Sequence, residues 1–207
     1  MSRQVFFVAG TDTGVGKTWA SCHLLYAAQQ RGLRTLGLKP LAAGAENTSV
    51  GWRNDDALLL QHASSVQLPY NIVNPFCLQE AVAPHIAATH AGVSLSASQI
   101  TQAVHEVITT SAADYVLVEG AGGWRVPLND SETLADVAQQ LRLPVILVVG
   151  MKLGCLNHAL LTAGAIVQDG LQLAGWIAND LGEPMPCLAE NIATLEHWLP
   201  APRILVE

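Results

Sequence analysis

Charge is scarce in this sequence. Asp, Glu, Lys and Arg make up 13% of the 207 residues, half of all residues are hydrophobic, and 10 basic against 17 acidic residues leave a net charge of −7. So apolar a chain argues against disorder. The lack of any basic run excludes nucleic acid as an expected partner. Long hydrophobic runs are missing too. The longest, PVILVVGM at 144–151, is far shorter than the about 20 apolar residues a membrane helix needs. No basic stretch with a cleavage site precedes the first strand-like run, so no secretion signal is expected. The four cysteines, Cys22, Cys77, Cys155 and Cys187, fall at no metal-ligand spacing and read as free thiols in a reducing compartment. These absences point to a cytoplasmic protein with no membrane partner. The length suits a single domain over 1–207.

What is present is alternation. The runs QVFFVAG (4–10), RTLGLKP (34–40), YVLVEG (115–120), PVILVVG (144–150), LAGWIAND (173–180) and RILVE (203–207) read as strands. Between them lie helical patterns at 17–31, 55–63, 96–112, 132–141, 155–170 and 187–199, with one or two helical turns at 84–92. Gly32 stops the first helix, Asp55 is the candidate N-cap of the second, and Ser96 or Ser98 caps the 96–112 helix. Residues 41–54 and 64–83 read as irregular. The strands are unbroken apolar runs, as expected of a sheet buried on both faces. The fold class is therefore α/β: an open, doubly wound, mostly parallel sheet flanked by helices.

The first strand runs into GTDTGVGKT, residues 10–18. The strict phosphate-loop spelling wants a glycine where Thr11 stands, and here it comes one step early, at Gly10. The working parts survive the shift. Gly14 and Gly16 free the backbone to curl around a phosphate, Lys17 can reach terminal phosphates, and Thr18 can offer its hydroxyl to Mg²⁺. The helix that follows points its positive end at the anion.

Other polar residues fall at strand ends on the same edge. Glu119 ends a buried strand and opens the flexible loop EGAGG, a placement suited to a metal-bound phosphate. Asp55 or Asp56 can add a second carboxylate, with a plain helix cap as the competing reading. Lys39 ends the second strand, where it suits stabilisation of a transferring phosphoryl group; a snorkelling surface lysine is the alternative. The amides of Gly154 to Leu156 open a helix and can bind an anion, with Asn157 and His158 beside them. Asn179 ends another strand, with an amide able to read a purine edge.

Taken together, GTDTGVGKT, LKPLAAG, RNDDALLL, VLVEGAGGWRVPL, PVILVVGMKLGCLNHALLT and GWIAND resemble the dethiobiotin synthetase family over nearly the whole chain. The resemblance implies a P-loop ligase of biotin biosynthesis that uses ATP, Mg²⁺ and CO₂ to close a cyclic urea on 7,8-diaminononanoate. It implies Lys17 and Lys39 as catalytic residues and Thr18, Asp56 and Glu119 around Mg²⁺. Nucleotide contacts are implied for Thr13, Gly14, Val15, Gly16, Lys17, Thr18, Asp56, Glu119, Gly120, Ala121, Gly122, Asn179 and Asp180. Thr13, Lys39 and Ala43 are implied at the diamine. Gly154, Cys155, Leu156 and Asn157 are implied at the substrate carboxylate of the neighbouring subunit in a homodimer. Two features depart from the family pattern: Ala43 replaces a common serine, and members usually carry a further Pro-containing segment and helix over the base, beyond the stretch matching APRILVE. The rival readings are a related P-loop switch ATPase, whose extra loop lysine is here Asp12, and a catalytically impaired paralogue. An amidating ligase with a glutamine-hydrolysing domain has no room in 207 residues.

Overall fold

The computed structural model describes residues 3–182 and 184–206. Along the chain the strands are β1 (Gln4–Gly10), β2 (Thr35–Leu38), β3 (Leu41–Ala43), β4 (Glu46–Thr48), β5 (Gly51–Arg53), β6 (Phe76–Leu78), β7 (Tyr115–Glu119), β8 (Val145–Met151) and β9 (Leu173–Asp180). The helices are α1 (Lys17–Gln30), α2 (Asp55–Ala63), α3 (Tyr70–Val73), α4 (Pro84–His90), α5 (Ala97–Thr110), α6 (Leu134–Leu141), α7 (Cys155–Gln168) and α8 (Leu188–Trp198).

Five of the apolar runs form one sheet in the order β2-β7-β1-β8-β9, every pairing parallel. Side chains alternate across it. Phe7, Ala9, Val116, Val118, Leu147 and Val149 pack against α5, α6 and α7, whereas Val8, Leu117, Ile146 and Val148 pack against α1 and α2. Helices therefore cover both faces, as the unbroken apolar strands require, because a strand face left open would expose these side chains to water. All five strands run the same way, so their carboxyl ends share one edge, and every candidate side chain at a strand end arrives there.

The structure departs from the sequence expectations at several points. Residues 41–54 and 64–83 are not simply irregular: β3 pairs with β6 in a parallel pair, and β4 with β5 in a hairpin. Such three-residue pairings have no periodicity to read; Phe76 N–H donates to the Pro40 carbonyl and starts the first pair. The cap of α2 is Asn54, not Asp55, since the Asn54 side chain accepts the Ala57 N–H. That leaves Asp55 and Asp56 in the first turn. Ser96 caps α5, and Thr133 with Asp136 forms a capping box on α6. The segment read as RILVE meets β9 at a single bridge, Trp176 to Arg203, and does not form a strand; Glu207 lies outside the described residues. The four cysteines are unpaired. Among the described residues no helix is long and apolar enough to cross a membrane.

Candidate functional site

The shifted glycine has a steric cause. A Cβ on Gly10 would lie 2.8 Å from Val15 Cγ2 and 3.0 Å from Lys17 Nζ, so the strand end itself requires glycine where the loop folds back over it. Gly14 and Gly16 take φ of 72° and 82°, and Gly16 caps α1 in the left-handed region that side chains disfavour. A Cβ there would also collide with the Asn179 amide. Asn179 Nδ2 donates to the Val15 carbonyl at 2.9 Å and thereby clasps the loop from β9. One N–H of that amide is committed, and its second N–H and Oδ1 are left to face a base.

At the centre of the edge lies a buried charge network. Glu119 is fully buried. Its Oε1 accepts from the Thr18 hydroxyl at 2.7 Å and from Lys39 Nζ at 2.8 Å, and its Oε2 accepts from the Ser21 hydroxyl at 2.7 Å. Lys39 Nζ donates also to Asp56 Oδ2 at 3.0 Å and to the Gly120 carbonyl at 3.1 Å. Burial works against the Lys39 cation, but Glu119 and then Asp56 outweigh it and raise the lysine above its ordinary range. Burial likewise works against the Asp56 anion, and Lys39 leads the groups that outweigh it and hold its carboxyl below the usual range. Lys17 lacks such a carboxylate contact. Its ammonium donates to the carbonyls of Asp12 (3.0 Å) and Gly122 (2.7 Å). Burial, and then repulsion from Lys39, lower it to about 8.

Of the expected site residues, Thr13, Gly14, Lys17, Lys39, Ala43, Asp56, Ala121 and Gly122 line one cavity of about 650 Å³, together with Asp12, Val82, Pro84, Arg125 and Pro127. Asp12 accepts the Thr13 N–H at 2.8 Å, and this contact leads the causes that lower its carboxyl. Asn179 and Asp180 border a second cavity of about 590 Å³ with Trp19, Ile192 and residues 203–206. The segment Gly154–Asn157 lines neither. It opens α7 with Gly154 at φ 94°, and the Cys155 N–H is taken by the Lys152 carbonyl, while the amides of Leu156 and Asn157 have no acceptor among the described residues. His158, exposed, lies in the first turn of the same helix.

The sequence reading missed Ser21. Its signal was present: three residues after Thr18 in a helix, it faces the same way. Asn54, Tyr70 and Asn74 were missed as well, and they join segments that show no pattern.

A divalent cation fits the donor set. Thr18, Asp56 and Glu119 offer a hydroxyl and two carboxylates, all hard oxygen donors. Among the described residues no group of three or more His, Cys, Asp or Glu gathers to hold a metal alone. Such a cation would therefore take its remaining ligands from phosphate and water.

A family model described as an AAA domain matches residues 4–206. The chain is 57% identical to the ATP-dependent dethiobiotin synthetase BioD of Cellvibrio japonicus, over 98% of this chain and 88% of that one. It is 55% identical to the protein of the same name from Pseudomonas aeruginosa, over 95% and 86% of the two chains. Among solved structures it resembles the signal recognition particle receptor FtsY from Elizabethkingia anophelis in complex with GDP. That TM-score is 0.60 at 15% identity, covering 98% of this chain and 56% of the receptor. Chloroplast FtsY from Physcomitrella patens gives 0.57 at 18% identity, covering 98% and 57%. At such identities the two structures speak for the P-loop NTPase fold alone.

Proposed function

The chain belongs to the dethiobiotin synthetase family, an ATP-dependent ligase of biotin biosynthesis, and we propose that it closes the cyclic urea of dethiobiotin on 7,8-diaminononanoate with CO₂, releasing ADP and phosphate. The observation that carries this reading is the 650 Å³ cavity, which joins the phosphate loop to Lys39 and Ala43 without a break. A switch ATPase needs a phosphate site but no such adjoining chamber.

In the proposed reaction one amine of the diamine gives up a proton and adds CO₂ to form a carbamate. A carbamate oxygen attacks the γ-phosphorus and the bond to ADP breaks. The second amine then attacks the carbamate carbon, phosphate leaves, and the ring closes. The P-loop amides from Thr13 to Thr18 hold the phosphates, and Lys17 leaves its two carbonyl acceptors for the stronger attraction of phosphate oxygens. Thr18, Asp56 and Glu119 would hold a Mg²⁺ arriving with the triphosphate, which would offset the phosphate charge. Lys39 stands as a fixed cation beside the transferring group, where charge develops. Thr13, Lys39 and Ala43 line the space for the amines and carbamate. Ala43 presents only a methyl group there, so one hydrogen bond to the substrate is missing or passes to water. Gly120, Ala121 and Gly122 close over the phosphates, and the Asn179 amide and Asp180 face the base.

The amides of Leu156 and Asn157 would bind the substrate carboxylate of a second subunit in a homodimer. Two features support this. The segment lies outside its own chain's cavity. It also sits on an apolar outer stripe, Leu153 at 98% and Leu161 at 66% exposure, that a second copy would cover. We take the whole chain as one P-loop domain working in the cytoplasm, where ATP is supplied and four free thiols stay reduced.

Mass spectrometry tests the reading. Incubation with the diamine, bicarbonate, Mg²⁺ and ATP should give dethiobiotin and ADP in step. ATP hydrolysis with no ureido product would overturn it.

A further inference from the structure

Tyr70 stands where three segments meet, and its hydroxyl is fully committed. It accepts the Asn54 backbone N–H at 2.7 Å and donates to Asn74 Oδ1 at 2.9 Å, with the Cys77 sulfur at 3.5 Å. A phenol has one proton and two lone pairs, so these contacts use all it has. Burial, and then the Cys77 thiol, push the phenol well above its ordinary value, so the proton it donates stays in place. The Arg53 guanidinium lies over the ring, 4.2 Å from its centroid, and fixes its plane.

Each partner of the hydroxyl leads to the buried ion pair. Asn54 sets the start of α2, because its Oδ1 accepts the Ala57 N–H at 3.3 Å and its Nδ2 donates to the Gly44 carbonyl at 3.3 Å. Asp56 stands in that first turn. On the other side, Asn74 Nδ2 donates to the Lys39 carbonyl at 2.6 Å, and the Lys39 N–H donates to the Val73 carbonyl at 3.0 Å. Both backbone groups of Lys39 are thus held by residues 73 and 74. The circuit closes where Lys39 Nζ meets Asp56, at 3.0 Å.

We infer that Tyr70 is a positioning residue for the Lys39–Asp56 pair: it lies outside the cavity, yet its hydroxyl ties the end of the strand carrying Lys39 to the start of the helix carrying Asp56. A strand end and a helix start have no direct covalent reason to keep register, since the hairpin of β4 and β5 separates them. The hydroxyl supplies the connection in two hydrogen bonds. This inference rests on the reading of Lys39 and Asp56 as parts of the phosphoryl-transfer site.

Tyr70→Phe removes the hydroxyl and keeps the ring, its volume and the Arg53 contact. The expected result is a kcat lower by roughly tenfold to a hundredfold, the scale of a small misplacement of reacting groups, with the KM for ATP changed much less because the phosphate loop keeps its own contacts. In an Asp56→Asn background the same substitution should cost little more, since the pair it positions is already broken. A purely structural Tyr70 would instead multiply the two losses, and that outcome overturns the inference. A second readout needs no turnover. The Lys39 ammonium, buried and hydrogen-bonded, is followed by ¹⁵N NMR of the unliganded enzyme, assigned by its disappearance in Lys39→Met. Tyr70→Phe should shift or broaden that signal, and an unmoved signal overturns the inference. If the wild type makes no dethiobiotin, the functional reading fails, while the NMR experiment still decides whether Tyr70 governs the pair.

Discussion

Lys17 and Lys39 hang from one loop. The carbonyls of Gly122 and Gly120, on either side of Ala121, accept from the two ammonium groups at 2.7 Å and 3.1 Å. The likeness ends there. Lys39 is also clamped by Glu119 and Asp56, whereas Lys17 meets only carbonyl oxygens. One cation is fixed by buried carboxylates, and the other is held by groups that a phosphate can displace.

Lys17→Ala is expected to abolish turnover with the fold intact. Removing the ammonium strands no buried carboxylate, because its acceptors are neutral. Circular dichroism should match the wild type while ADP production falls to background. A variant with near-normal kcat would remove Lys17 from phosphate binding.

The depressed Lys17 sets a pH limit. With its folded pKa near 8 against an ordinary 10.5, the free enzyme loses this cation as the pH rises through 8. The kcat/KM for ATP should fall along that limb, since this quantity reports groups of the free enzyme. Lys17→Arg should move the limb out of range, because a guanidinium stays charged. Stability has the opposite sign: burying this cation costs stability below pH 8, and the cost fades as the pH climbs from about 8 toward 10.5. The destabilisation relieved by Lys17→Ala in denaturant titrations should accordingly shrink across that window. A flat kcat/KM profile from pH 7 to 9.5 would show that Lys17 titrates elsewhere.

Much of this site was legible before the fold was known. Thr18 and Lys17 lie in a contiguous motif, and Glu119 and Lys39 each end an apolar strand, which a parallel sheet delivers to one edge. What stayed hidden depends on contacts between segments without periodicity. Nothing in the sequence links Tyr70 to Asn54, or Asn74 to Lys39, since each joins one turn to another by a single hydrogen bond. Asn179 shows the same limit. Its strand-end position marked it as a ligand contact, yet its clasp on Val15 appears only once β9 is placed beside the loop. The three-residue strands β3 and β6 are too short for any pattern to declare them.

Lys39→Ala should separate binding from turnover, at a price in stability. A lost transition-state contact of this type costs on the order of 10²–10³ in kcat, and ATP binding by calorimetry should suffer less. The buried Glu119 would then lack its cation, which destabilises by about 3–5 kcal/mol. The double variant Lys39→Met with Glu119→Gln should recover the melting temperature but not the activity. Recovery of both would remove Lys39 and Glu119 alike from the phosphoryl-transfer site.

Ala43→Ser tests the missing hydroxyl. The methyl faces the cavity shared by Lys17 and Lys39, so a serine there can hydrogen-bond the diamine or its carbamate. A neutral hydrogen bond contributes about 0.5–1.5 kcal/mol, which corresponds to a KM for the diamine a few-fold lower, with the KM for ATP unmoved. Equal changes in both would place residue 43 nearer the nucleotide than the geometry suggests.

The proposed shared site makes a demand that no single chain can meet. The diamine carries its carboxylate several methylenes from its two amines. In the proposed reaction the amines sit near Lys17 and Lys39, while the amides of Leu156 and Asn157 lie outside that cavity. If those amides bind the carboxylate, they do so for the other subunit, and Asn157 completes a partner's site. Asn157→Pro, which removes one of those N–H groups and is tolerated in the first turn of α7, and Lys17→Ala are then each defective alone, the first chiefly in the KM for the diamine and the second in turnover. Mixed, they form heterodimers in which one site receives both defects and the other receives neither. Activity should return toward a quarter of the wild-type level at equal mixing, because half of the dimers are mixed and each has one whole site. Exchange is monitored by native mass spectrometry of subunits of different mass. If heterodimers form and activity stays at the level of the unmixed variants, each chain builds its carboxylate site from its own residues.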